Sequence, residues 1–187
     1  MKRPEEARLL AHYERHPVYH SPLDHATPGQ VFYAVGGLWP EPVLDLGCGD
    51  GRLARALPTG TSYHGVDYSE KRVAIAQERA PEGATFSVSD LWDFVEFDSA
   101  AWGTVVLVDV LEHLESPLKL LDMIRPACRE ILATVPINLP NPAHLHVWPH
   151  LNAVREFFRP DFMAEGNFGT HTAVMRWWPG APERGVE

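Results

Sequence analysis

The chain has 187 residues, with 16 Lys and Arg against 25 Asp and Glu, a formal net charge of −9 and 45% hydrophobic residues. That length fits a single domain over 1–187 with a sizeable core and leaves no room for a second full one, while the acidic balance repels phosphate backbones and argues against nucleic acid as substrate. Cys48 and Cys128 supply neither a disulfide framework nor a four-cysteine zinc site; with a charged start, MKRPEEARLL, and no run long enough to span a bilayer, the expectation is a soluble, cytoplasmic protein with no membrane partner.

In chain order, the first forty residues read as two helices. PEEARLLAHYERH (4–16) places Glu5 and Glu6 near its positive end and Arg15 and His16 near its negative end. After a Pro- and His-containing loop, Thr27-Pro28 starts a second helix with Val31, Phe32, Val35 and Leu38 on one face. The stretch VLDLGCGDGRLARAL (43–57) comes next. Val43, Leu44 and Leu46 form the apolar run of a buried parallel strand, and Asp45 with Gly47, Gly49 and Gly51 feeds a glycine turn into a helix. Alternate glycines let a ligand lie against the main chain, where helix N-terminal N–H groups favour an anionic end. A dinucleotide fingerprint needs a third glycine where Arg52 stands, which weakens a nicotinamide reading.

Beside the plain alternative of an ordinary strand-to-helix turn, D-x-G-x-G-x-G with the acid inside the strand end resembles the first motif of class I S-adenosylmethionine-dependent methyltransferases. The resemblance implies S-adenosylmethionine as cofactor. Its methionine half would pack on the loop of Gly47, Cys48, Gly49 and Gly51, and Asp45 would help hold its ammonium group. In that family the helices before the first strand often cover the cofactor and shape the acceptor pocket, so Tyr13, Tyr19, His20 and Phe32 are of interest, beside their reading as core aromatics.

Strand and helix keep alternating. TSYHGVDYS (61–69) gives a second strand ending in Asp67 and Tyr68, and Ser69-Glu70 opens a helix with Val73, Ala76 and Ala80 on one face. A carboxylate at that strand end suits both ribose hydroxyls. ATFSVSDLW (84–92) is a third strand running into Ser89, Asp90 and Leu91. There the resemblance implies an acid accepting from the adenine amino group, a backbone N–H on the ring and Trp92 as shelter; the alternative is an Asp that merely starts a turn. Thr104 to Val108 is a β-branched run suited to the middle of a parallel sheet, followed by DVLEHLESP and a helix begun at Ser116-Pro117 with Leu118, Leu121 and Ile124 as its stripe. A helical turn here would put Asp109, Glu112 and His113 on one face, at the sheet edge where open α/β folds bind ligands, and the resemblance counts Asp109 among the cofactor-binding residues.

EILATVPIN (130–138) is a fifth strand. The Pro- and Asn-rich segment after it holds His144 and His146, which in an extended chain project to the same side. PHLNAVREFF gives a helix, DFMAEGNF and HTAVMRWW a closing pair of strands, and the tail over 180–187 is expected to be disordered. The family sheet is a Rossmann-like, seven-stranded mixed sheet of order 3-2-1-4-5-7-6 with its last strand antiparallel and helices on both faces, and the resemblance implies that fold here.

In-line methyl transfer to a hydroxyl needs alignment and a proton acceptor, and His113, His144 and His146 are the candidate bases; His113 as a mere helix cap is the equal alternative. No N-P-P-Y type motif follows the fourth strand, which argues against nucleobase amino groups. D-x-x-E-H instead resembles the fourth motif of the small-molecule, ubiquinone-biosynthesis-like branch. It is similar to the E-x-x-E-H cluster by which some relatives, small-RNA 2′-O-methyltransferases among them, bind a divalent ion. The resemblance thus implies a metal set of Asp109, Glu112, His113 and His144. The expected activity is methyl transfer to a small-molecule acceptor, most simply a hydroxyl oxygen, with 2′-O-methylation of RNA and a non-catalytic cofactor-binding protein as alternatives.

Overall fold

The computed structural model describes residues 40–97, 102–167 and 170–179. The two expected N-terminal helices with Tyr13, Tyr19, His20 and Phe32, and the tail over 180–187, lie outside the described residues. The strands are β1 Val43–Leu46, β2 Tyr63–Asp67, β3 Ala84–Val88, β4 Trp102–Val108, β5 Cys128–Pro136, β6 Phe162–Asn167 and β7 His171–Trp177. The helices are α1 Arg52–Ala56, α2 Glu70–Glu78, α3 Leu91–Phe97, α4 Pro117–Ile124 and α5 Leu151–Phe158, with a 3₁₀ turn at Leu111–His113 between β4 and α4.

One sheet takes all seven strands in the order β3-β2-β1-β4-β5-β7-β6. The first five are parallel, and β7 runs antiparallel to both β5 and β6. This is the expected Rossmann-like order. The apolar run of β1 is buried on both faces, and so are Val105 to Leu107 of β4 and Ile131 to Ala133 of β5, because helices cover the sheet on each side. From β1 the chain winds outward through β2 and β3, returns to place β4 on the other side of β1, and continues to β5. The direction of winding therefore reverses between β1 and β4, and a crevice opens there at the carboxyl ends of the strands.

Local signals account for most helix starts. Ser69 caps α2 by accepting from Arg72 N at 3.4 Å, and Pro117 occupies the first turn of α4. Two stripes differ from expectation. Leu118 is 40% exposed and the buried face of α4 is Pro117, Leu120, Leu121 and Ile124, because Leu120 stands one turn before Ile124 whereas Leu118 points off that face. Ala80 falls beyond the end of α2 and is exposed. Helix α3, where the sequence indicated only a strand end and a turn, begins after Asp90, whose Oδ1 accepts from Trp92 N at 2.7 Å. Among the described residues no helix is long and apolar enough to cross a membrane.

Candidate active site

A cavity of about 260 Å³ opens at the crevice between β1 and β4. It gathers Asp45, Gly47, Cys48 and Gly49 from the first turn, Asp67 and Tyr68 from the end of β2, Ser89 and Leu91 from the end of β3, and Asp109 and His113 after β4. The remaining sequence candidates stand outside its lining. Gly51, at φ +75, packs under Ala76 and Phe86; Asp90 starts α3. Asp50, Arg52 and Arg72 also line the cavity and were missed. Arg72 carried a readable signal, a charged residue one turn from Ala76 on the buried face of its helix.

The glycines of the first turn have separate tasks. A Cβ on Gly47 would lie 2.6 Å from a Val110 methyl, so this glycine lets the turn pass beneath the chain leaving β4. A Cβ on Gly49 would meet no heavy atom within 4 Å, although its φ of +54° is strained for any side chain. The opening there is the room a ligand needs to lie on the main chain.

Asp67 ties this turn to the end of β2, since Gly49 N donates to its Oδ2 at 3.0 Å and Ser69 N to its Oδ1 at 2.9 Å. Burial raises its pKa above the usual carboxylate range, and the two N–H groups pull against that shift. Asp45 is 3% exposed and accepts from the Tyr63 hydroxyl at 2.5 Å. Burial pushes it up to about 7, opposed by the Tyr63 hydrogen bond and reinforced by the Asp67 charge. Burial beside these two acids also raises the Cys48 thiol well above its ordinary value, so Cys48 is a neutral wall of the cavity and not a nucleophile.

The β4 side is built differently. Asp109 takes a left-handed φ of 53°, uncommon for a side chain with a Cβ. Thr134 of β5 holds it there: the Thr134 hydroxyl donates to Asp109 Oδ1 at 2.8 Å, and Asp109 N donates to Thr134 Oγ1 at 3.1 Å and to the Thr134 carbonyl at 3.3 Å. The left-handed residue breaks the register before the 3₁₀ turn. Asp109 therefore does not share a helical face with Glu112 and His113 as the spacing suggested. His113 Nδ1 donates to the Ala143 carbonyl at 3.0 Å, which leaves the ring lone pair on Nε2, 3.8 Å from Glu112 Oε1.

The segment 138–148 is not extended. It turns on Asn141, which accepts from Ala143 N through Oδ1 and from His144 N through its carbonyl, and the two histidines diverge. His144 donates from Nδ1 to the Leu139 carbonyl at 2.9 Å and sets its ring edge-on to His113, centroids 4.9 Å apart. His146 turns away, donating from Nε2 to the Leu114 carbonyl at 2.9 Å and stacking on Trp148.

Glu112, His113 and His144 each bring one ligand atom within 4.8 Å of the others. Glu112 is 1% exposed, its Oε2 has no hydrogen-bond partner among the described residues, and burial together with the Asp109 charge raises it well above the ordinary value. A buried carboxylate oxygen without a partner beside two imidazoles is a donor set that fits a divalent cation. Asp109, included in that set on sequence grounds, is bound to Thr134 and is not part of the cluster.

Residues 43–130 match the family of methyltransferase domains. Among curated proteins, the ubiquinone biosynthesis O-methyltransferase of Sodalis glossinidius is 30% identical over 103 residues, covering 51% of this chain and 41% of that protein. Its counterpart from Actinobacillus pleuropneumoniae serotype 5b is 27% identical over 106 residues, 52% of this chain and 44% of its own length. The chain thus spans less than half the length of these relatives. Magnesium protoporphyrin IX methyltransferase of Synechocystis PCC 6803, solved with bound S-adenosylhomocysteine, superposes with a TM-score of 0.57 at 19% identity over 79% of this chain and 78% of its own. The plantazolicin methyltransferase BpumL with S-adenosylhomocysteine gives 0.61 at 14% identity over 94% and 90%. At these identities the likeness to the solved structures is one of fold.

Proposed function

We propose, from the premise that this chain carries a class I S-adenosylmethionine-dependent methyltransferase domain, that it transfers a methyl group to the hydroxyl oxygen of a small-molecule acceptor. The observation that carries the reading is the position of His113. It lines the cavity and at the same time belongs to the cluster with Glu112 and His144, so the cofactor site and a proton-accepting or oxygen-binding site share one side chain. The curated relatives are named as O-methyltransferases, in keeping with an oxygen acceptor. In this reading residues 1–187 act as one cytoplasmic domain and 1–40 flank the site.

S-adenosylmethionine, when bound, supplies an activated methyl on a sulfonium. Asp67 takes the ribose hydroxyls while its two backbone N–H bonds fix the carboxylate in place, Tyr68, Ser89 and Leu91 border the adenine, and Asp45 faces the ammonium group. Gly49 leaves the main chain open to the methionine half. With its proton on Nδ1 and bound to Ala143, His113 presents a basic Nε2 toward the acceptor hydroxyl, and alignment across the crevice does the rest. A divalent ion held by Glu112, His113 and His144 would instead occupy that Nε2 lone pair, and would lower the pKa of the acceptor hydroxyl and fix its oxygen.

Titration calorimetry with S-adenosylmethionine and S-adenosylhomocysteine tests the pocket, and product formation across phenols, catechols, carboxylates and amines tests the acceptor. Methylation confined to hydroxyl-bearing acceptors is the expected result. Tight cofactor binding with no turnover across that panel would replace this reading with a non-catalytic one, and methylated amines alone would reassign the acceptor atom.

A further inference from the structure

The end of β4 carries a constraint that the transfer reaction, as derived above, leaves unused. Asp109 is an acid in a left-handed backbone conformation, it lines the cavity, and it is held from the next strand by three hydrogen bonds to a single residue, Thr134, which is fully buried. A left-handed conformation at a residue with a Cβ persists where surrounding contacts over-determine it, and such residues gather at functional sites. A side chain needed only to end the strand would not require a charge. Burying a carboxylate is costly without a cation or hydrogen bonds to offset it.

We propose that Asp109, positioned by Thr134, reads the positive charge on the sulfur of the cofactor and so separates the methyl donor from its spent product. The inference rests on the reading of the cavity as an S-adenosylmethionine site. The order of the strands gives the direction. Ribose and adenine lie at the ends of β2 and β3, and the sulfur, attached to the 5′ carbon of the ribose, therefore lies toward β1 and β4, where Asp45 and Asp109 stand. Asp45 answers the ammonium group, which donor and product share. Asp109 answers the charge that only the donor has, because methyl transfer converts a sulfonium cation into a neutral thioether. The pocket cation nearest in effect is Arg52, bound to Asp50 at 3.4 Å and also favouring ionised Asp109. Burial raises Asp109 above its ordinary value, and the Thr134 hydrogen bond, then His144 and Arg52, oppose that shift; a sulfonium beside the carboxylate offsets the same cost.

The test uses the whole chain and three ligands. S-adenosylmethionine and sinefungin are cationic at or beside the sulfur position, and S-adenosylhomocysteine is neutral there; affinities are measured by titration calorimetry at one pH and one salt concentration. D109N keeps an oxygen to accept the Thr134 hydroxyl and removes only the charge. The ratio of cationic to neutral affinity should fall about tenfold in this variant, with S-adenosylhomocysteine affinity nearly unchanged. T134V should lower the same ratio about threefold and T134S should restore it. If both ligand classes weaken together, or neither does, Asp109 does not discriminate charge and the inference is overturned. A ratio that collapses in D109N but is untouched by T134V removes Thr134 from it. Should D109N fail to fold, T134V against T134S decides on the same ratio, and an unchanged ratio there overturns the proposal. Wild-type protein that binds none of the three ligands refutes the cofactor reading itself, a distinct result.

Discussion

The two walls of the cavity are held by different means. On the β1 to β3 side the acids are held from within the first two strand-helix units: Gly49 and Ser69 N–H groups on Asp67 and the Tyr63 hydroxyl on Asp45. On the β4 side, groups far along the chain do it, with Asp109 on Thr134 25 residues on, His113 on Ala143 30 residues on, and the Glu112 carbonyl accepting from Leu145 and His146 N–H groups. The first wall needs only β1 and β2 with their turns, whose contacts span 18 residues. The second exists only once β5 and the segment after it have packed against β4, so the cofactor wall should tolerate change in the acceptor wall better than the reverse.

The largest effect should come from Gly49→Val. The branched side chain fills the opening over the first turn and strains a φ of +54°, so cofactor affinity should fall by more than about a hundredfold while the circular dichroism spectrum stays native. Retained binding would make that opening irrelevant to the ligand. On the other wall, Glu112→Ala and His144→Ala should each weaken divalent-ion binding by about a hundredfold and abolish rescue of chelated protein by single ions, leaving cofactor affinity intact. Metal analysis of untagged protein and activity after chelation check this; chelated protein turning over at its original rate leaves His113 as the base without an ion.

Asp67→Ala should cost about ten- to a hundredfold in cofactor affinity. It releases Gly49 N and Ser69 N as well as the ribose, and a folded variant with wild-type affinity would refute the ribose assignment. The Asp45 wall should show itself as pH dependence. Burial favours the protonated acid, so below about 7 an incoming ammonium group must displace a proton. Affinity should therefore climb by up to about tenfold per pH unit below that point and level off above it. Because the Tyr63 hydroxyl lowers the value, Tyr63→Phe should move the midpoint upward; a pH-independent affinity would detach Asp45 from the ammonium group. The smallest effect is reserved for His146→Ala. Losing its bond to the Leu114 carbonyl and its stack on Trp148 should cost about 1 kcal/mol of stability and change turnover by less than about twofold. A large loss of turnover at full stability would return His146 to the chemistry.

The same contrast explains what the sequence disclosed. The sheet order and the acids at the ends of β1, β2 and β4 were legible because each sits at a fixed place in a repeating strand-helix unit, and the resemblance supplied their order. Asp90 was legible as a residue and not as a role: starting a helix and facing a ligand use the same amino acid. The separation of His144 from His146 depends on a turn at Asn141, and the departure of Asp109 from the metal set depends on a left-handed φ held by a threonine one strand away. Neither partner is marked by spacing. Arg72 escaped because an arginine on a helix reads as a solvated residue, although its place one turn before Ala76 sets it on the buried face.

The antiparallel β7 has a consequence for synthesis of the chain. It lies between β5 and β6, and its pairing with β5 runs from Ile131 opposite Trp177 to Pro136 opposite Thr172. In β5, Ile131, Leu132, Ala133 and Val135 are wholly buried. On a ribosome β5 emerges about forty residues before the strand that closes its free side, a delay during which a half-made sheet offers a bare hydrophobic edge to any neighbouring nascent chain. A polypeptide terminated ahead of His171 would keep that edge permanently, so premature stops late in the message should yield inclusion bodies and not a smaller enzyme.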